Sequence, residues 1–117
     1  MSGNSYLTMP GPKQLGRRQV VKQPDWTFLS NYAHVLVCLA EDPSARLRDV
    51  AARVGITERA VQRIIGQLED GKVLKKVRDG RRNHYEINLN QPLRHPLEAH
   101  KTVGSLIAMV HEPGSGQ

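Results

Sequence analysis

The sequence predicts a mainly α-helical domain carrying one small β-hairpin, in the order α-(β)-α-α-β-β-α. Three observations carry this expectation. Apolar residues recur at helical spacing in segments near 25–43, 49–54, 57–70 and 96–111. Gly55 separates the second and third of these after only a short run, where a left-handed turn residue is needed. Finally, Asp79-Gly80 lies between two runs with strand-like alternation, a strong hairpin signal.

A chain of 117 residues is long enough for one domain with a modest core. Residues 1–24 mix Gly, Pro, Ser and basic residues without hydrophobic period and read as a flexible basic arm. The domain is expected over 25–111, with a tail at 112–117.

In the first helical segment, DWTFLSNYAHVLVCLAEDP, Asp25 or Thr27 can cap the start and Pro43 closes the end. Leu29, Ala33, Leu36 and Ala40 form one stripe, and Phe28, Tyr32, Val35 and Leu39 another. Together they cover well over half the circumference, so this helix must be covered on two sides. Ala45 to Leu47 reads as a short strand. The second helix ends near Val54 with Val50, Ala51 and Val54 inward.

The third helix opens on Thr57 as cap, with Glu58 in its positive first turn. It buries Val61, Ile64, Ile65 and Leu68 and stops at Gly71. Its outer face carries Arg59, Gln62, Arg63 and, farther along, Gln67. Gly66 in mid-helix suggests tight packing, because glycine there costs roughly 1 kcal/mol relative to alanine. Strands are expected over Val73–Arg78 and Arg81–Leu89, with Tyr85, Ile87 and Leu89 on the buried face. Pro96 opens a fourth, apolar helix containing Leu97, Val103, Leu106, Ile107 and Val110.

Charge narrows the function. The net charge is +6 and the isoelectric point near 9.9, which favours a polyanionic partner. From Lys72 to Arg82 there are six cations against one acid, Asp79. Lys13, Arg17, Arg18 and Lys22 form a second basic group. Cys38 is the single cysteine, which leaves no internal disulfide and places it in the core of an apolar helix. With no membrane-length apolar run and no secretory-type leader, a cytoplasmic protein is expected, nucleoid-associated when bound to DNA.

Small Ala51, the turn at Gly55 and inward Val61 have the spacing of two helices crossing steeply, as in a helix-turn-helix. A basic hairpin directly after it makes the winged form. A helix fits the DNA major groove, where each base pair shows a distinct pattern of donors and acceptors. Thr57, Arg59, Gln62 and Arg63 are therefore the candidate readers. Arg78, Arg81 and Arg82 are the candidate wing contacts, and Arg46, Arg48, Lys75 and Lys76 weaker candidates for phosphate. The plain alternative for each group is solvated surface charge, with Glu58 available to pair with either arginine of the helix.

Leu47 to Asn88, LRDVAARVGITERAVQRIIGQLEDGKVLKKVRDGRRNHYEIN, resembles winged helix-turn-helix transcriptional regulators of the MarR and ArsR kind. It looks closest to compact MarR-like proteins common in actinobacteria, and the resemblance extends from Trp26 through the final helix. It implies a homodimer joined by its terminal helices, reading a palindromic site in double-stranded DNA. Phe28, Tyr32, Val35, Leu39, Val103, Leu106, Ile107 and Val110 are the candidate interface, with the helix near 96–111 as the dimerisation helix. Full-length MarR proteins frame a ligand pocket with longer terminal helices, so a small-molecule effector is not expected here.

Other chemistries find little support. His84, His95, His100 and His111 show no metal-ligand spacing. No nucleophile–base–acid set or glycine-rich phosphate loop suggests an enzyme, and no cofactor is expected. The competing function is a winged helix that docks a partner protein in place of DNA. The cationic outer face of the third helix speaks against that.

Overall fold

The computed structural model describes residues 23–111; the arm expected over 1–24 lies outside them except for Gln23 and Pro24, and the tail at 112–117 lies outside them entirely. Helix α1 spans Asn31–Glu41, α2 Leu47–Val54 and α3 Glu58–Asp70. Strands β1 (Leu74–Asp79) and β2 (Arg82–Ile87) form an antiparallel hairpin, and α4 (Val103–His111) follows. No helix among the described residues is long and apolar enough to cross a membrane.

One core joins these elements. Val35, Leu36 and Leu39 of α1 meet Val50 and Val54 of α2, Val61, Ile64, Ile65 and Leu68 of α3, Tyr85 of the hairpin, and Val103 and Ile107 of α4. Val35, Leu39, Val50 and Val61 are almost wholly sealed, each a burial that contributes about 1.5–3 kcal/mol. Cys38 is buried among them as expected, and burial raises its thiol pKa.

Helix α1 starts later than its apolar pattern suggests. Ser30 caps it by accepting from the Ala33 N–H at 3.5 Å, while the Thr27 hydroxyl donates to Leu29 O and Asp25 caps nothing. The expected strand at 45–47 does not form: Leu47 opens α2. What remains of it is one backbone hydrogen bond, Tyr85 N–H to Pro43 O at 3.0 Å. That bond docks β2 against the link between α1 and α2.

Helix α2 ends on Gly55, in the left-handed region at φ +88°, as the turn demands. Helix α3 ends differently. Gly71 has φ −85°, and the left-handed residue is Lys72 at φ +65°. The Val73 N–H reaches Leu68 O at 2.9 Å and the Lys72 N–H reaches Glu69 O at 3.0 Å, the paired bonds of a Schellman motif. Buried Val73 and Leu68 supply its apolar contact. At Gly66 nothing lies within 4 Å of a built Cβ, so tight packing is not the reason for that glycine.

In the hairpin Asp79 pairs with Arg82, so the two turn residues are Gly80 and Arg81, one place later than expected. Gly80 at φ +67°, followed by a residue of negative φ, has the pattern of a type II′ turn. Strand β2 ends at Ile87, and Leu89 is exposed where alternation placed it inside.

The fourth helix begins at Val103, not Pro96, and Leu97 lies exposed in the preceding turns. Two bonds fix that start: Ser105 N–H donates to Thr102 Oγ1 at 3.2 Å and Thr102 N–H donates to Ser105 Oγ at 3.0 Å. Backbone bonds from Val103 N–H to Gln91 O and from Gly104 N–H to Leu89 O stitch α4 to the segment after the hairpin.

Candidate nucleic-acid interface

The inner face of α3 is fixed by Val61, Ile64, Ile65 and Leu68, which turns Thr57, Arg59, Gln62 and Arg63 to solvent. Arg59 and Arg63 are one turn apart on the same side. Among the described residues the one ion pair of fixed charges is Glu41 with Arg53 at 2.7 Å, and His111 Nε2 lies 3.2 Å from the same carboxylate. Glu58 therefore pairs with neither Arg59 nor Arg63 on the outer face of α3. The Thr57 hydroxyl oxygen accepts from the Ala60 N–H at 3.0 Å. Its first task is thus to cap α3, worth about 1 kcal/mol, and only its hydroxyl proton remains to donate elsewhere. Gln67 leaves the outer face, since its Oε1 accepts from the Tyr32 hydroxyl of α1.

Arg46 and Arg48 flank the start of α2 and are exposed. That helix end has no side-chain cap, and the exposed Asp49 in its first turn offsets part of the charge of the two arginines. In the hairpin, register places Arg78 opposite Asn83 and Lys76 opposite Tyr85, on the face that also holds Leu74 and Ile87. Lys75 and Arg82 lie on the other face, and Arg81 is in the turn. The wing cations are all exposed but are divided between both faces and the tip. Arg78 also bends back, donating from Nε to Gly80 O at 3.4 Å.

The candidate dimer residues split. Val35, Leu39, Val103 and Ile107 are buried in the chain's own core and cannot form an interface without opening it. Phe28, Tyr32 and Val110 are exposed and Leu106 is half-buried. Phe28, Tyr32 and Leu106 line one cleft of about 460 Å³ between α1, the end of α3, the 92–98 segment and α4. The cleft has the volume of a small-molecule site, which the shortness of the chain did not lead us to expect. Trp26 packs edge-on to Phe28, with ring centres 4.9 Å apart.

Two features escaped sequence reasoning. The Glu41 carboxylate bridges Arg53 of α2 and His111 of α4. Partial burial would raise its pKa, but the Arg53 hydrogen bond and charge, with His111, outweigh it and hold the pKa below its ordinary value. The second is Gln23, whose Nε2 donates to Val54 O at 2.9 Å, at the turn between α2 and α3. Neither contact has a local sequence signature, because each joins residues 12 or more positions apart.

Residues 34–75 match the family model described as winged helix-turn-helix DNA-binding. That match runs through α1, α2 and α3 into β1, and the hairpin completes the wing. The fold is a winged helix-turn-helix. Among solved structures, this winged helix is similar to wild-type ZitR of Lactococcus lactis in complex with DNA, at 19% identity and a TM-score of 0.46. The likeness covers 66% of this chain and 57% of that one, so the winged helix spans little more than half of ZitR's length. No curated protein matches.

Proposed function

We propose that this winged helix is a sequence-specific regulator of transcription that binds double-stranded DNA as a homodimer on a palindromic site. The observation that carries the reading is the outer face of α3: Arg59, Gln62 and Arg63 are exposed and not in ion pairs among the described residues, on a helix whose other face is locked into the core. Arginine forks onto guanine and glutamine onto adenine in the major groove. The match of residues 34–75 to a DNA-binding family model supports the same partner.

Phosphate contacts then fall to the start of α2, with Arg46 and Arg48, and to the wing, with Arg78, Arg81 and Arg82, helped by Lys75 and Lys76. Because the wing cations are divided, Arg81 and Arg82 at and beyond the tip are the principal contacts and Arg78 an accessory one. The second copy covers the cleft rimmed by Phe28, Tyr32 and Leu106, whereas Val110 lines a separate, shallower cleft beside Val37 and Cys38. On a palindromic site the two reading helices of such a dimer would lie about one DNA turn, roughly 34 Å, apart.

Selection of bound duplexes from a random pool, followed by mobility shift at two salt concentrations, tests the reading. It succeeds with an enriched palindrome and salt-sensitive binding. No duplex binding at either salt would transfer the fold to protein docking. A monomeric mass in sedimentation at micromolar concentration would remove the dimer.

A further inference from the structure

The chain carries a net charge of +6. Exposed arginines mark the outer face of α3, the start of α2 and the tip of the wing. Two copies brought together on any of those faces would repel each other. The cleft between α1, the end of α3 and α4 is different. Among the residues that line it only Arg94 and Glu98 are charged, one of each sign, and the others are apolar or neutral.

Both charges stand on the link between β2 and α4, and backbone bonds close that link into a fixed loop. The Leu93 N–H donates to Lys101 O at 2.9 Å, and the Glu98 N–H to His95 O and the Lys101 N–H to Glu98 O each at 2.8 Å. Leu93 packs against the core and roots the loop. One guanidinium nitrogen of Arg94 lies 3.7 Å from the place a Cβ on Gly71 would take, so this arginine overhangs the end of α3. Arg94 and Glu98 are exposed. Although only four residues separate them, they pair neither with each other nor with any other described residue, since the ion pairs there all involve Glu41.

A face with one free cation and one free anion is complementary to itself. An isologous two-fold contact sets residue i against j and j against i. Two copies laid cleft to cleft can therefore bring Arg94 against Glu98 twice, with no net charge between them. Neither DNA nor a partner of one dominant sign matches such a face, because one of its two charges would meet its like. Exposed Phe28, with Trp26 packed edge-on to it, and exposed Leu97 add apolar surface beside the charges.

We propose that Arg94 and Glu98 form a reciprocal pair of salt bridges between two copies of this chain and fix how the second copy is oriented on the cleft. This rests on the homodimer reading above and names the residues that set its register. Apolar burial supplies the affinity, and the charges select the orientation and reject mismatched partners.

The test is sedimentation of the full chain without DNA over a range of concentrations. Arg94→Glu and Glu98→Arg each place two like-charge contacts across the two-fold, and each should weaken the homodimer about 10- to 100-fold. An equimolar mixture of the two variants should associate at close to wild-type affinity, because both contacts then join opposite charges. The double variant R94E/E98R should form a homodimer for the same reason. Each single change moves the net charge of +6 by two and leaves it positive, so overall attraction cannot explain recovery in the mixture. Recovery also cannot come from variants that fail to fold. Single variants that dimerise as tightly as wild type would overturn the proposal and leave the homodimer standing. Weakened single variants that neither mixing nor the double change restores would overturn it as well. Wild type that stays monomeric at every concentration refutes the homodimer itself, an outcome read from wild type alone.

Discussion

Replacing Gly66 with alanine should stabilise this protein. Gly66 lies inside α3, and the position its Cβ would occupy has no heavy atom from the rest of the fold within 4 Å. The substitution therefore adds a methyl to open space and removes the backbone freedom that glycine has in the unfolded chain. Helix propensity puts the gain at about 0.8–1.0 kcal/mol, or about 4–8 °C in melting temperature for a domain of this size. Urea unfolding followed by circular dichroism measures it; the exposed Trp26 is a poor fluorescence reporter of the core. Two other glycines give the contrast. Gly55→Ala forces a side chain into φ +88° and should cost about 1–2 kcal/mol. Gly104→Ala places a Cβ 2.9 Å from the Leu89 carbonyl oxygen and should cost about 1–3 kcal/mol through overpacking. A loss of stability in Gly66→Ala comparable to that in Gly104→Ala would refute the reasoning, since it would mean that α3 has a neighbour at that position. Gly66 falls three residues after Arg63 and seven after Arg59, on the same outer stripe. Its DNA affinity should therefore be measured in parallel: a variant that folds better and binds worse would locate the use of this glycine at the interface.

Lys72→Gly should add about 1 kcal/mol in the same unfolding assay, because Lys72 holds the left-handed position of the Schellman motif at φ +65°; an unchanged midpoint would show that the strain is absent. Arg63→Ala should weaken the selected duplex by about 1–3 kcal/mol and random duplex little, whereas Arg82→Ala should weaken both alike and flatten the salt slope by about 0.9; equal losses on both duplexes for Arg63→Ala would remove its reading role. Glu41→Gln should cost no more than about 1 kcal/mol at neutral pH, since the site is partly exposed and solvent-screened. The Glu41 pKa is held below its ordinary 4.5 by Arg53 and His111. Its stabilisation is therefore present above that pH and is lost as pH falls through the lower folded value. Wild-type and variant stabilities should converge in acid, and a constant gap down to about pH 3 would contradict this.

The helix pair was legible because its signals are local. Thr57 before Glu58, the glycine at 55 and the stripe Val61–Ile64–Ile65–Leu68 each act within one turn of chain. Boundaries failed where distant contacts decide them. Pro96 is a good helix opener in isolation, yet backbone bonds from the Val103 and Gly104 N–H groups to the Gln91 and Leu89 carbonyls and the Thr102–Ser105 exchange set the start at Val103. An apolar pattern also cannot say which partner covers it. Val35 and Phe28 belong to the same stripe, but Val35 is wholly buried in the core and Phe28 is 91% exposed. The polar outer face of α3 was legible as residue types. That Thr57 is occupied as a cap, that Gln67 is drawn to Tyr32 and that the wing cations divide between two faces all depend on geometry.

The dimer is what the proposed function most requires, and the reason is quantitative. One well-formed bidentate contact discriminates a base by about 1–3 kcal/mol. Arg59, Gln62 and Arg63 on one helix could reach the upper part of about 3–9 kcal/mol only if all three paired at once without strain. Specific binding typically exceeds non-specific binding by about 4–10 kcal/mol, so a single copy that makes only one or two of these contacts, about 1–6 kcal/mol in all, reaches no more than the lower part of that range. Phosphate contacts from the wing cannot make up the difference, because they raise affinity for every sequence alike. A second reading helix adds base contacts and with them discrimination. The single chain leaves Trp26 and Phe28 exposed beside an open cleft rimmed by Tyr32 and Leu106, apolar surface that association would remove from water. Packing and recognition thus point to the same completion, a second copy seated over that cleft.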